Sequence, residues 1–185
     1  MHKPAHIFVA LGREDSMVEK EFVLHMARYN TWQNNQLRKI VQAMDDGELK
    51  ADRCAFFGSI FNTLNHLLWG DTIWMSRWYS DIATPKTSIA ESISMTPTIG
   101  AWDAERFRMD GRIRIWAQTL SNVDLRQDIS WFSGAIQQDV TKPMGLCVAH
   151  MFNHQTHHRG QISQMLSAAG ITPPVSDLVF MPEDV

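Results

Sequence analysis

The stretch His150-Met151-Phe152-Asn153-His154-Gln155-Thr156-His157-His158-Arg159-Gly160-Gln161 carries four of the chain's eight histidines. It sits inside a longer helical pattern, Pro143 to Ala169, in which Cys147, Met151, Ile162, Met165 and Ala169 recur on one face. Pro143 suits a first helical turn, and Gly170 followed by Pro173-Pro174 suits a stop. Residues four apart on a helix are offset by about 40° and stand one turn above the other. His158 falls within the apolar stripe and His154 at its edge, so these two present their imidazoles to one point. His150 and His157 point about 100° or more to one side. The His-x-x-x-His spacing occurs in zinc proteases, but Gln155 stands where their glutamate base belongs, which excludes that signature. A single inward histidine is more often a hydrogen-bonded core residue than a ligand. Two of them without partners would be costly to bury, so a metal site stands beside a hydrogen-bonded core pair as an equal reading of this segment.

Three further helical patterns precede this one. The first runs from about Asp15 to Met44, with Val23, Met26, Leu37, Ile40, Val41 and Met44 on one face and Asp45–Gly47 closing it. The second runs from about Asp52 to Tyr79, and Phe57, Ile60, Phe61, Leu64, Leu68 and Met75 form its stripe. A Thr/Ser/Pro-rich loop from Pro85 to Pro97 leads to the third, Trp102 to Leu120. Before the fourth, Asp128–Phe132 and Ile136–Thr141 flank Ser133-Gly134 and predict a small β-hairpin. Four amphipathic helices predict an all-α four-helix bundle in one domain over residues 1–185, with an irregular helical domain as the alternative.

Composition narrows the function. With 44% apolar and 20% charged residues and a net charge of −3, nothing draws the chain toward nucleic acid or an anionic membrane. The basic residues are scattered and form no phosphate-tracking stripe. Cys54 and Cys147 lie far apart, match no zinc-finger or redox spacing, and are assigned to packing in a reducing compartment. Ile7–Leu11 is too short for a signal peptide, and no apolar run reaches the roughly 18 residues of a membrane span. The expected address is the cytoplasm.

A metal site built on His154 and His158 needs a third ligand. The remaining histidines are His2 and His6 in a terminal segment, His25, and His66 in the middle of the second helix in Asn65-His66-Leu67-Leu68-Trp69-Gly70-Asp71. His66 lies nearly opposite the main stripe of its helix and shares a face with Ser59, Asn62, Thr63 and Gly70. That face suits solvent. It equally suits a strip of small residues that admits another helix and leaves a polar pocket, and periodicity does not choose between them. Asn30 and Gln33 interrupt the stripe of the first helix, and buried amides need partners. They either orient ligating histidines or form an internal network. Ferritin-like di-iron chemistry is excluded, since no Glu-x-x-His occurs in the sequence. Any metal centre here is histidine-based and mononuclear.

Four pieces together resemble the DinB-like family, damage-inducible bacterial helical bundles that bind metals. They are Ala27-Arg28-Tyr29-Asn30-x-Trp32-x-x-Asn35, Asn65-His66-Leu67-Leu68-x-x-Asp71-x-x-Trp74, the Ser133-Gly134 turn, and the histidine string from His150 to Gln161. The resemblance runs from about residue 20 to the segment Asp177–Glu183, and the histidine string is its specific part. It implies a bundle with a histidine triad, one ligand from the second helix and a pair from the last, which map onto His66, His154 and His158. It therefore implies an inward His66. Nickel, zinc or iron suits such a donor set, with nickel or zinc preferred.

Relatives of this kind include S-transferases and an isomerase that use a low-molecular-weight thiol, and many are dimers. The resemblance thus implies a metal-dependent, thiol-dependent S-transferase-like activity on a small electrophile, in a homodimer with a stress-response role. The alternatives are a metal-dependent hydrolase and a non-catalytic protein in which the metal ties helices together, His157 then being a fourth ligand. Asn30, Gln33 and Asp71 are expected to support the histidines. Arg159 is expected either to hold an anionic cosubstrate or to pair with an acidic residue such as Asp71.

Overall fold

The computed structural model describes residues 16–185. Four long helices form the bundle: α1 (Lys20–Gln42), α3 (Ile60–Trp78), α4 (Ile99–Thr119) and α6 (Met144–Ala168). Short helices α2 (Asp46–Lys50) and α5 (Asn122–Arg126) turn the chain between them. Strands β1 (Asp128–Ser133) and β2 (Gln138–Pro143) pair antiparallel, with Ser133 opposite Gln138, and form the expected hairpin. Helix α4 packs against both α1 and α3, and α6 packs mainly against α3 and also against α1. No helix among the described residues is long and apolar enough to cross a membrane.

Local chemistry sets the helix ends. The Thr98 side chain accepts from the Ala101 N–H, so α4 begins at Ile99, three residues before the expected Trp102. Helix α6 ends in a Schellman turn: Gly170 has φ +73°, its N–H donates to Ser167, and the Ile171 N–H donates to Leu166. Pro143 precedes α6 as its N-cap and ends β2, so the first helical turn does not contain it.

The second helix departs most from expectation. It begins at Ile60, capped by Ser59, and not at Asp52. Residues 52–59 instead form a compact turn in which Cys54 and Gly58 take left-handed φ values of 54° and 78°. The Asp52 carboxylate accepts from the Cys54 N–H, and the Arg53 N–H donates to the Gly58 carbonyl. The assignment of Cys54 to packing is thereby corrected, because this turn leaves it exposed, whereas Cys147 is buried. The first helix starts at Lys20, and Asp15 lies outside the described residues.

The apolar core includes Leu37, Val41, Leu64, Leu68, Ile113, Trp116, Val148 and Ile162. Alongside it runs a buried polar layer to which every long helix contributes. Asp71 of α3 accepts from Arg106 of α4 at 2.6 Å and from Gln155 of α6 at 2.9 Å. Asp110 of α4 lies 2.8 Å from Arg106 and accepts from Asn30 and Asn34 of α1, both at 2.9 Å. Arg159 of α6 donates to the Asn30 side-chain oxygen and lies over the Tyr29 ring. Two carboxylates and two guanidinium groups balance each other in this layer. Burial still pushes the Asp110 carboxyl up to about 6, opposed by Arg106 and by the Asn34 hydrogen bond.

Removing one partner of a buried ion pair leaves the other uncompensated, at a cost of about 3–5 kcal/mol. Arg106→Met is therefore expected to destabilise the fold by about that amount, read from urea unfolding. A loss below about 1 kcal/mol, within the range of exposed pairs, would contradict the description of this layer.

Candidate metal centre

Helices α3 and α6 bring His66, His154 and His158 together. The Nε2 atom of His154 lies 3.2 Å from Nε2 of His66 and 3.0 Å from Nε2 of His158. His66 and His158 are buried and His154 half-buried. The close approach depends on Gly70: a Cβ there would lie 2.7 Å from Cε1 of His154. Ser59, Thr63 and Gly70 are buried beside His66, so the polar face of this helix is a close-packing strip and not a solvent face.

Two of the three tautomers follow from the partners. The Ser92 hydroxyl spends its proton on the Ile89 carbonyl, at 2.6 Å, and lies 2.8 Å from Nδ1 of His66. It must therefore accept from Nδ1–H, which leaves Nε2 of His66 as a bare lone pair. Nδ1 of His158 lies 2.8 Å from the Gln161 side-chain oxygen, and the same logic bares its Nε2. Both lone pairs point at His154 Nε2, which has one proton at most to share. Nδ1 of His154 is buried and has no hydrogen-bond partner.

The site also keeps the rings neutral. Burial, with the neighbouring His158 as the smaller cause, pulls His66 down to about 4. Burial and the surrounding histidines pull His154 down to about 3. His158 is lowered as well, since burial outweighs its bond to Gln161. Neutral imidazoles with converging lone pairs are the form that binds a metal. Three nitrogens each about 2.0–2.1 Å from one tetrahedral ion would stand about 3.3 Å apart, close to the 3.0 and 3.2 Å seen here. Among the described residues no fourth His, Cys, Asp or Glu joins the group.

The other sequence-predicted residues lie elsewhere. His150 is exposed, meets the edge of Trp74 and stands 6.1 Å from His154 ring to ring on the wall of the same cleft, while the exposed His157 contacts Gln161. Neither is part of the cluster. Asn30 and Asp71 belong to the buried polar layer, with no hydrogen bond to the histidines. Gln33 donates to the Val175 carbonyl at 2.6 Å and straps the C-terminal segment to α1. Arg159 is buried in the same layer, and Asp71 pairs with Arg106 in its place. The groups that do orient the triad are Ser92 and Gln161, with Phe57 stacked 4.1 Å from His66. Gln161 stands one turn after His158 within the histidine string. Ser92 begins a short 3-10 turn, Ser92–Ser94, inside the Thr/Ser/Pro-rich connection, where no periodicity marks it, and only the fold delivers it.

His66 and His154 face a cleft of about 690 Å³ whose walls include Trp69, Trp74, Arg77 and Trp131. The hairpin forms one side, and the loop around Thr87–Ile89 forms another. No carboxylate is among the groups lining it.

The model of the DinB family matches residues 17–184. Protein DinB of Bacillus subtilis (strain 168) is 22% identical over 160 residues, covering 85% of this chain and 91% of that protein. A crystal structure of a DinB-like protein from Bacillus cereus ATCC 10987 superposes with a TM-score of 0.59 at 16% identity, covering 81% of this chain and 94% of the other. At that identity the likeness speaks for the fold.

In the metal-free protein, nitrogen NMR titration is expected to give midpoints near 4 for His66 and near 3 for His154. The unfolded chain takes up these protons near pH 6.5, the ordinary histidine value, and the folded chain does not. The stability contributed by these rings is thus present above about pH 6.5 and is lost as pH falls toward 4 and 3. Midpoints at the ordinary value would show the rings to be solvated, against this geometry.

Proposed function

The chain belongs to the DinB family, and from that membership and the converging imidazoles we propose that His66, His154 and His158 hold one divalent metal ion in a thiol-dependent S-transferase-like enzyme. The observation that carries the metal reading is the pair of bare Nε2 lone pairs, set by Ser92 and Gln161 and aimed at a third imidazole. Imidazole donors suit nickel, zinc or iron. Three protein ligands, two of them facing a cleft, match a site that keeps one position for a substrate, where a structural site would be closed. Such a cation, when bound, lowers the pKa of a coordinated water or thiol toward neutrality.

The residues of this chain supply the rest. Phe57 and Trp69 flank His66 and shield the triad from water. Ser92 and Gln161 hold the rings in the ligating tautomer, as outer partners of metal-bound histidines do. The aromatic walls receive a small electrophile beside the two cleft-facing histidines. A hydrolase would need a general base within reach of a bound water. Asp71, the buried acid on α3, is held by Arg106 and Gln155, and no carboxylate lines the cleft, which favours the thiol reading over hydrolysis. The three-ligand geometry likewise favours an enzyme over a purely structural metal.

Plasma mass spectrometry should find about one metal per chain in the wild type, the stoichiometry of a mononuclear site, and almost none in His154→Ala/His158→Ala. Ser92→Ala should weaken metal affinity by about 10–100-fold. Loaded wild type should accelerate conjugation of a chlorodinitrobenzene with at least one of a panel of low-molecular-weight thiols, and the double variant should not. Wild type that stays metal-free after reconstitution with nickel, zinc and iron would end this reading.

A further inference from the structure

Arg77 is a half-buried cation with no anionic partner among the described residues. Its guanidinium lies 4.3 Å from the Trp74 ring centre and 4.8 Å from that of Trp131. Among the described residues no ion pair involves it; those present use Arg38, Lys50, Arg53, Arg106 and Arg108. Burial pulls its pKa below the ordinary arginine value, a sign of lost hydration. Stacking on indole leaves the in-plane N–H groups of a guanidinium free to donate, and these match a carboxylate in two-point contact.

Its position relative to the histidines follows from the helix. His66, Gly70, Ile73 and Arg77 recur at helical spacing on α3, and all four line the cleft. Gly70 and Arg77 are separated by two turns, about 10 Å, and His66 and Arg77 by about 16 Å along the axis. Trp69 stacks beside His66 at the first end, and His150, between His154 and Trp74, and Trp131, against Trp74, lead toward the second, with no acidic side chain in the lining. One end of the cleft thus offers the two ligand imidazoles, the middle offers indole walls with the neutral-leaning His150 ring against them, and the far end offers a cation.

We propose that Arg77 is the anion-recognising residue of this cleft, which takes an elongated small molecule with a carboxylate at Arg77, an apolar body on the tryptophans and its other end at the histidines. That the histidine end is the reacting end rests on the function proposed above; the anion site does not. The carboxylate belongs either to the electrophile or to the thiol, and the same chemistry recognises both.

The test compares acids with the matching alcohols: ω-phenylhexanoate with ω-phenylhexanol, and ω-mercaptooctanoate with ω-mercaptooctanol. Binding is read by tryptophan fluorescence and calorimetry on wild type, Arg77→Gln and Arg77→Lys, each metal-free and zinc-loaded. The wild type should bind at least one acid about tenfold or more tighter than its alcohol, the scale of a hydrogen bond to a charged group. Arg77→Gln should abolish that preference, and Arg77→Lys should keep part of it. A preference in the phenyl pair that survives zinc removal assigns the carboxylate to the electrophile, and one confined to the mercapto pair with zinc assigns it to the thiol. Equal binding of acid and alcohol by the wild type would overturn the proposal without recourse to any variant. So would acid binding untouched in Arg77→Gln, which would leave Arg77 as a clamp between hairpin and helix. Failure to bind zinc would count against the metal reading alone, since the phenyl comparison stands on the metal-free chain.

Discussion

An imidazole can come this close to a helix backbone only where that helix carries no side chain. Gly70 is that place on α3, and the His154 ring occupies the space a Cβ would fill. Because the two helices meet there, His154 reaches His66 on the same helix face, and His158 follows one turn along α6. The register is held nearby by the hydrogen bond from Gln155, the neighbour of His154, to Asp71, the neighbour of Gly70. One close contact therefore sets both the histidine cluster and the entry to the buried polar layer.

That layer explains why the interior carries charge at all. Buried pairs of this kind contribute little net stability compared with apolar residues of the same volume. What they constrain is arrangement: Asp71 and Asp110 meet Arg106, Asn30, Asn34 and Gln155 only when all four long helices are seated in one relative position. We read the layer as the part of the core that admits one packing, and the histidine site as standing on it. The apolar residues around it supply the driving force, each buried Leu, Ile or Val contributing about 1.5–3 kcal/mol.

The bundle and the pair His154/His158 were legible because helical azimuth alone places residues four apart together and makes their shared stripe visible. His66 was not legible from periodicity, and the reason is physical. Helix α3 is buried on nearly every side, including Leu64, Leu67 and Leu68 on one face and Thr63, His66 and Gly70 on another, so its stripe does not mark the only inward direction. The polar interruption at Asn30 was a true mark of a buried network, yet its partners Asp110 and Arg159 come from distant helices and no local pattern names them. The misplaced start of α3 reflects turn chemistry: Cys54 takes a left-handed conformation that its residue type does not advertise. Ser92 reaches His66 from a single 3-10 turn, too short for spacing to carry information.

The site that results joins an inner end of three neutral donors to a cleft walled by tryptophans, with the hairpin and the loop around Thr87–Ile89 as its sides. The central claim, that these donors hold one metal with a position left for a ligand, is tested most directly by X-ray absorption of the zinc-reconstituted protein with and without an added thiol. The account predicts three imidazole nitrogens at about 2.0–2.1 Å, and a sulfur at about 2.3 Å that appears only with the thiol. A spectrum with fewer imidazoles, or a four-ligand protein shell that the thiol leaves unchanged, would contradict it.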